Sequence, residues 1–505
     1  MMPTQEIYSF TNAAKQADHL PFDRSVGGTA RAILQMEVDL GLLNDETFGP
    51  FARLVWEASR FGVHSHLKKR FSGHEVAHTP TESFRQMKAL GLVRWSVGIL
   101  RNTLLHSWFW APRRREWLIV QHARKRLRSA GLYEDVYTQD LLGEIPEKNR
   151  VVLDPPYHWT HYAQEATGIW YTEATIVLCW ILRPFLRSRI SRDIPTVRRL
   201  SKAVNPYLSP VYGEDIDVSP LLLAKASSIR RAVAAHRLML RWLLPRKIML
   251  VCSYGLEALV SAARSLRIPV VELQHGVVTP EHLGYAVPSG KAKKASPDYI
   301  LTFGSYWKDT VPWPVDKTRT ITLGYPYFER TQAELGHVPK SKSVVIISQG
   351  QIGWQLSKFA VRLAKQMNGS VNVVYKLHPG EVARWQKIYP WLVDAQDSGT
   401  MSIVDGNEPT LYELLVSAQW QIGVNSTALF EGIGLGCATY LVDLPGIEYM
   451  QPLIASGAAQ VISEPEDIDW TGTAVEINPD DFFAPRWRES LQQLLKMSLV
   501  SRADD

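Results

Sequence analysis

With 505 residues, 46% of them hydrophobic and 21% charged, the chain has room for two or three domains with full cores and is too apolar to be disordered over most of its length. Its net charge of +6 suits a phosphorylated ligand or an anionic membrane surface. No zinc knuckle, RNA-binding aromatic signature or long Lys run accompanies that charge, so nucleic acid is not an expected partner.

Cys179, Cys252 and Cys437 each stand alone in apolar sequence, which argues for reduced thiols and against a cysteine-rich zinc site. Met1 to Leu20 is polar and carries no hydrophobic signal core. The most apolar stretch, Ala174–Leu182, is bounded by Glu173 and Arg183 and is too short to cross a bilayer. The expectation is a cytoplasmic protein that touches the inner face of the cytoplasmic membrane.

In chain order, residues 1–112 read as a helical region. Ile33–Leu43, Phe51–Phe61 and Phe84–Leu105 place apolar residues at helical spacing. Residues 113–335 alternate short apolar runs with helices. The runs are Trp117–Val120, Val151–Leu153, Ile248–Cys252, Pro269–Leu273, Tyr299–Phe303 and Thr320–Leu323; the helices include a basic one from His122 to Arg128, then Leu221–Leu244 and Gly255–Leu266. Gly336–Ser343 is polar and reads as a linker. Residues 343–505 repeat the alternation, with strands at Val344–Ile347, Val371–Leu377, Ser402–Val404, Gln421–Val424, Thr439–Val442 and Gln460–Ile462. The final helix, Trp487–Leu499, is able to pack back on the first lobe. The fold class is α/β: two Rossmann-like doubly wound lobes with an N-terminal helical region. Ligands of such sheets bind beyond the carboxyl ends of the strands, which for two facing lobes is the gap between them.

Several motifs sit at predicted strand ends. Tyr375-Lys376-Leu377-His378-Pro379-Gly380-Glu381 closes a strand, and Pro379 fixes the turn that holds the imidazole. Lys376 and His378 are two apart, on one side of an extended chain, where together they could neutralise a phosphate. Gly423-Val424-Asn425-Ser426-Thr427 ends a strand and opens a helix whose N–H groups make a phosphate site, with Glu431 one turn on, able to reach a ribose. Between strand and helix, Ser348-Gln349-Gly350-Gln351-Ile352-Gly353 lets backbone amides approach a donor, with Gly350 and Gln351 at its centre. Gly432-Ile433-Gly434-Leu435-Gly436 ends a helix rather than opening one, so it reads as a cap and not as a dinucleotide fingerprint. In the first lobe, His275, Glu281 and His282 follow a strand, and His275 or Glu281 is a candidate general base for an acceptor hydroxyl. A structural histidine is the alternative at both His275 and His282. Leu238, Leu240 and Trp242–Leu244 interleave with Arg230–Lys247, a basic amphipathic pattern that suits peripheral contact with anionic lipid.

Lys376-Leu377-His378-Pro379, followed by Asn425-Ser426-Thr427 and Glu431, resembles the HP and Ser/Thr motifs of bacterial GT-B transferases: capsule polysaccharide glycosyltransferases, bacterial sialyl- and polysialyltransferases, and CDP-glycerol glycerophosphotransferases. Glu272–Gly276 with Gly284-Tyr285 is similar to a stretch of surface-carbohydrate transferases. The resemblance spans roughly residues 115–465. It implies a glycosyltransferase with a nucleotide-sugar donor as co-substrate, no other cofactor and no metal, and a surface polysaccharide or lipid-linked glycan acceptor, reacting with inversion. His378, Ser426 and Thr427 would hold the donor phosphate and Glu431 the ribose. The acidic base motif of several sialyltransferases has no counterpart here. Transfer of a polyol phosphate from a CDP-linked donor, non-hydrolysing epimerisation of a sugar nucleotide, and a non-enzymatic scaffold are the other readings.

Overall fold

The protein is described here from a computed structural model that covers residues 26–71, 89–128, 131–157, 160–213, 215–288, 293–350, 352–406, 408–470 and 478–502. Two parallel sheets organise it. The first contains β1 (Trp117–Val120), β2 (Arg150–Asp154), β3 (Ile169–Tyr171), β4 (Lys247–Val251), β5 (Val270–Leu273), β6 (Tyr299–Thr302) and β7 (Thr320–Thr322), in the order β3-β2-β1-β4-β5-β6-β7. The second contains β8 (Ser341–Ile347), β9 (Asn372–Lys376), β10 (Ser402–Val404), β11 (Ala418–Gly423), β12 (Ala438–Val442) and β13 (Gln460–Ile462), in the order β10-β9-β8-β11-β12-β13. Both orders reverse direction beside the first strand of the lobe, between β1 and β4 and between β8 and β11. They are doubly wound Rossmann-like sheets, and each has a crevice at its reversal point. Central strands such as Trp117–Val120 are buried along their whole length, because helices cover both faces.

The helices divide between the lobes unevenly. In the first half of the chain, α1 (Val26–Asp39), α2 (Pro50–Phe71) and α3 (Ala89–Leu105) precede β1, α4 (Glu173–Tyr212) and α5 (Ser219–Leu243) form a long hairpin before β4, and α6 (Glu257–Ser265) joins β4 to β5. The 40-residue α4 carries Pro184, Pro195, Pro206 and Pro210, and nothing in the sequence reading anticipated it as one helix. Residues 84–88 of the third expected helix lie outside the described residues.

The N-terminal helices are not a separate body. Ile33, Trp56 and Val63 share a core with Val197, Leu208, Leu222 and Ile229 of the hairpin. Arg60, 1% exposed, anchors them: its guanidinium donates to both oxygens of Glu37 (2.7 and 2.6 Å) and to the carbonyls of Leu283 and Ala286 (2.8 and 2.6 Å). The Glu57 carboxylate accepts from the backbone N–H groups of Lys294 and Ala295. These contacts hold the loop that follows β5, so the region whose role the sequence leaves open is a clamp on that loop.

Two boundaries move from their expected places. Strand β8 begins at Ser341, inside the expected linker. The chain from residue 478 onward leaves the second lobe. The helix Trp487–Lys496 and its flanks pack on the first: Trp307 Nε1 donates to the Phe482 carbonyl at 2.9 Å and Ala484 N–H to the Phe303 carbonyl at 2.8 Å. The reason is the apolar spacing of the last helix, Trp487–Lys496. Trp487, Leu491 and Leu494 recur every three to four residues and enter the core of Trp117, Ile119 and Val271. Each such burial stabilises the closure by about 1.5–3 kcal/mol. In chain order, α7 is Gly353–Met367, α8 is Thr427–Gly434 and α9 is this Trp487–Lys496 helix.

Candidate functional site

The second lobe brings three loops to one level. Ile347 pairs with Lys376 and Ile346 with Ile422, so β9, β8 and β11 release the chain side by side. Neighbouring strands lie about 4.8 Å apart, which sets the ends of β9 and β11 about 10 Å apart with the β8 loop between them. His378 and Ser426 therefore flank residues 348–350 rather than touching each other.

Hydrogen bonds stitch the three loops together. Glu381, 1% exposed, accepts from the Ser348 hydroxyl (2.7 Å), the His378 backbone N–H (3.0 Å) and the Tyr389 hydroxyl (2.7 Å). Gln349 Nε2 donates to Asn425 Oδ1 at 2.8 Å. Glu381 stood in the HP stretch of the sequence without a role; its signal is a carboxylate three residues after a histidine, in a position to close the turn. Gly353 lies where a Cβ would come 2.0 Å from Glu381 Oε1, so the start of α7 must be glycine.

His378 has a defined tautomer. Its Nδ1 accepts from the Gly380 N–H at 3.1 Å, which leaves the proton on Nε2, the nitrogen free to donate. Burial lowers its pKa, the Glu381 carboxylate opposes that, and the nearby Arg124 of the first lobe adds to it. The free imidazole is therefore neutral near pH 7, and an arriving anion would raise its pKa. Pro379 forms the exposed turn behind it. Lys376 is engaged elsewhere: its ammonium donates to the Gly406 carbonyl, and burial lowers its pKa.

Across β8, Ser426 caps α8. Its backbone is extended (φ −167°, ψ 147°) and its hydroxyl accepts from the Ala428 N–H at 3.2 Å. Asn425 is pressed by Gly446, where a Cβ would lie 2.0 Å from Asn425 Nδ2. Thr427 departs from the sequence expectation, because its hydroxyl accepts from the Val277 N–H of the first lobe at 3.2 Å. Glu431 is buried beneath the helix, where burial raises its pKa while the Tyr412 hydroxyl and Arg126 lower it. Gly350 lies in the half-buried turn after β8. Gln351 lies outside the described residues.

The first lobe faces these loops with its own switch point. His122 and Arg124 follow β1 directly, in a loop and not in the expected basic helix. The reason is Lys125, whose ammonium turns inward to Asp154 Oδ1 (2.8 Å) and the His122 carbonyl (2.7 Å) while Asp135 accepts from the His122 N–H (2.7 Å). Residues Arg126-Leu127 then pair with Tyr133-Glu134. Arg126 reaches across to the second lobe, 5.8 Å from the Tyr412 ring centre.

His275 is corrected by this geometry. Its Nε2 meets the Tyr254 hydroxyl at 2.9 Å and its Nδ1 the Tyr285 hydroxyl at 3.1 Å, while Tyr285 donates to buried Glu272. Burial lowers its pKa to about 3. An imidazole with both nitrogens occupied and so little basicity is a poor proton acceptor, and its place is in the scaffold. His282 is half-buried like His275, and burial lowers its pKa to about 4. Glu281 stands 3.9 Å from Arg31, and burial raises its pKa.

His122 is the residue the sequence reading passed over. Its ring lies edge-on to Tyr137 at 5.7 Å and 6.5 Å from His275, and its Nδ1 is 3.4 Å from the Arg124 carbonyl. Donation from Nδ1 to that carbonyl leaves Nε2 as the acceptor. The available signal was a histidine two residues after the apolar run Trp117–Val120, at the end of a first strand.

No family model and no curated sequence matches the chain. Solved structures similar to it include UDP-GlcNAc 2-epimerase from Methanocaldococcus jannaschii (10% identity, 75% of this chain and 98% of that chain, TM-score 0.44) and UDP-GlcNAc 2-epimerase from Neisseria meningitidis bound to UDP-GlcNAc (12%, 75% and 99%, TM-score 0.45). A glycosyltransferase from Streptomyces nogalater is also similar (11%, 75% and 94%, TM-score 0.40). The architecture, two facing α/β lobes of Rossmann type, stands on the two strand orders themselves.

Proposed function

We propose that the protein is a glycosyltransferase that takes a sugar from a nucleotide-sugar donor held by the second lobe and passes it to a glycan or lipid-linked acceptor held by the first. The observation that carries this reading is the second lobe's anion cradle: a neutral imidazole presenting Nε2–H at His378, the capped amino end of α8 at Ser426, and the β8 loop between them, stitched by Glu381 and the Gln349–Asn425 pair. Hydrogen bonds from these groups would strengthen as the leaving diphosphate gains charge, which is where catalytic stabilisation is needed. Arg124 of the facing lobe adds a cation. The residues present supply that stabilisation from side chains and backbone.

His122 is the proposed base. It would accept the acceptor hydroxyl's proton on Nε2 as the hydroxyl oxygen attacks the anomeric carbon and the nucleotide leaves from the opposite side, an inverting displacement. Burial lowers the His122 pKa, and Asp135, held against the His122 backbone, opposes that and supports the resulting imidazolium.

A thermal-shift series with CMP, CDP, UDP, GDP and dTDP tests the donor half. A nucleotide at a hundred times its Kd stabilises the folded chain by about 2.7 kcal/mol, and one of the five should do so. No response to any of them sinks the reading. Product analysis with the matching donor then separates a glycosidic bond from a phosphodiester, and conversion of the donor without acceptor would favour epimerisation.

A further inference from the structure

The first lobe exposes apolar side chains where a water-facing surface should be polar. Leu100, Leu104 and Leu105 on α3, Trp110 in the turn that follows, and Ile181 and Phe185 on α4 are 54–74% exposed. They form one surface. Helices α3 and α4 pack together, Asn102 donates to Glu173 at 2.7 Å, Trp108 donates to Thr175 at 3.1 Å, and Ser107 bridges Tyr171. Between Thr175 and Val197, α4 buries no residue, so just over half of the helix is exposed or half-buried. No described helix is long and apolar enough to cross a membrane.

The charge around this patch has one sign. No Asp or Glu occurs from Val97 to Arg115 or from Ala174 to Arg192. Arg101, Arg113, Arg114, Arg183, Arg187 and Arg189 are exposed there, and the ion pairs nearby join Arg230 to Asp193 and Arg246 to Glu116 instead. The expected lipid-facing helix, α5, spends its apolar side differently. Met239, Leu240 and Leu243 are in the core, and Trp242 stacks on Phe109 at 4.4 Å.

We infer that the α3–α4 surface seats the protein on an anionic bilayer. The apolar side chains would enter the headgroup boundary while the arginines meet lipid phosphates. A second copy of the chain is the wrong occupant, because a two-fold contact would set these arginines against each other with no carboxylate between them. The inference stands apart from the nucleotide reading, since adsorption to a bilayer needs no donor.

The experiment is co-sedimentation of the full chain with phosphatidylcholine vesicles, with and without about 30% phosphatidylglycerol. Wild type should partition into the anionic vesicles at least about tenfold more strongly than into the neutral ones, and high salt should weaken it. L104E/F185E should lose about tenfold or more of the binding. R183Q and R187Q, at exposed positions that leave the fold intact, should each lower the anionic preference by about fivefold. Retained thermal unfolding and nucleotide response in the variants separate loss of docking from loss of fold. Wild type that ignores anionic vesicles, variants that bind as wild type does, or a wild-type dimer in light scattering that L104E/F185E dissociates would overturn the inference.

Discussion

Replacing Glu381 with Gln keeps the volume of the side chain and removes its charge. Glu381 accepts three hydrogen bonds, from Ser348, His378 and Tyr389, at 2.7, 3.0 and 2.7 Å. A hydrogen bond to a charged group is worth about 1.5–3 kcal/mol and a neutral one about 0.5–1.5, so each bond loses about 1 kcal/mol and the three together about 3 kcal/mol. For a lobe of this size each kcal/mol moves the melting point by about 2–4 °C, which predicts a fall of about 6–12 °C in the second lobe's transition. Differential scanning calorimetry reads it. The same change frees the His378 backbone and loosens the Nε2 donor, so nucleotide affinity should fall by about tenfold. An E381Q protein that melts within about 2 °C of wild type and binds nucleotide equally would show that Glu381 does not hold the three loops.

Other perturbations test other joints. Arg60→Met leaves the buried Glu37 carboxylate with Trp56 as its remaining donor and should cost about 3–5 kcal/mol, read by thermal unfolding; adding Glu37→Gln should recover part of that loss. His275 and His282 are held neutral, with folded pKa values lowered to about 3 and about 4. Their contribution is present above pH 6.5 and is lost as pH falls, because the unfolded imidazoles take protons that the folded ones refuse; stability should drop by about 1.4 kcal/mol per pH unit for each, and Gln at both positions should flatten that limb. His161 carries the opposite sign. Burial works against its charge, yet Asp154 and Glu173, at 2.7 and 2.8 Å from its two nitrogens, raise its pKa overall. Its contribution is full below pH 6.5 and fades as pH rises through the raised value, a slope that His161→Gln should abolish in pH-dependent melts. His122→Gln should lower kcat by about a hundredfold or more with donor affinity unchanged.

Much of the fold could be read directly. Strands such as Val344–Ile347 and Ile248–Val251 are continuous apolar runs because both faces of a parallel sheet are covered, and their spacing with intervening helices announces two doubly wound lobes. The long α4 was hidden by its prolines, which read as breaks, although the hairpin with α5 carries them. The return of α9 to the first lobe was legible in its spacing of Trp487, Leu491 and Leu494, but not the boundary that this implies. At the site, strand-end position pointed to His378 and Ser426. It could not tell His275, enclosed by Tyr254 and Tyr285, from His122, because both follow an apolar strand and only tertiary packing separates them. Lys125 shows the same limit: in a basic run it reads as a solvated face, yet its ammonium is buried against Asp154. Thr427 looked like a phosphate ligand and is a contact between lobes.

Titration calorimetry of the nucleoside diphosphate that gives the largest thermal shift, with wild type and with His378→Ala, tests the anion cradle most directly. Removing a hydrogen bond to a charged phosphate should weaken binding by about ten- to a hundredfold while the melting point without nucleotide stays near wild type, because among the described residues the ring loses one exposed contact, the Gly380 N–H on Nδ1. Equal affinity in the two proteins would contradict the assignment of the second lobe as the donor site.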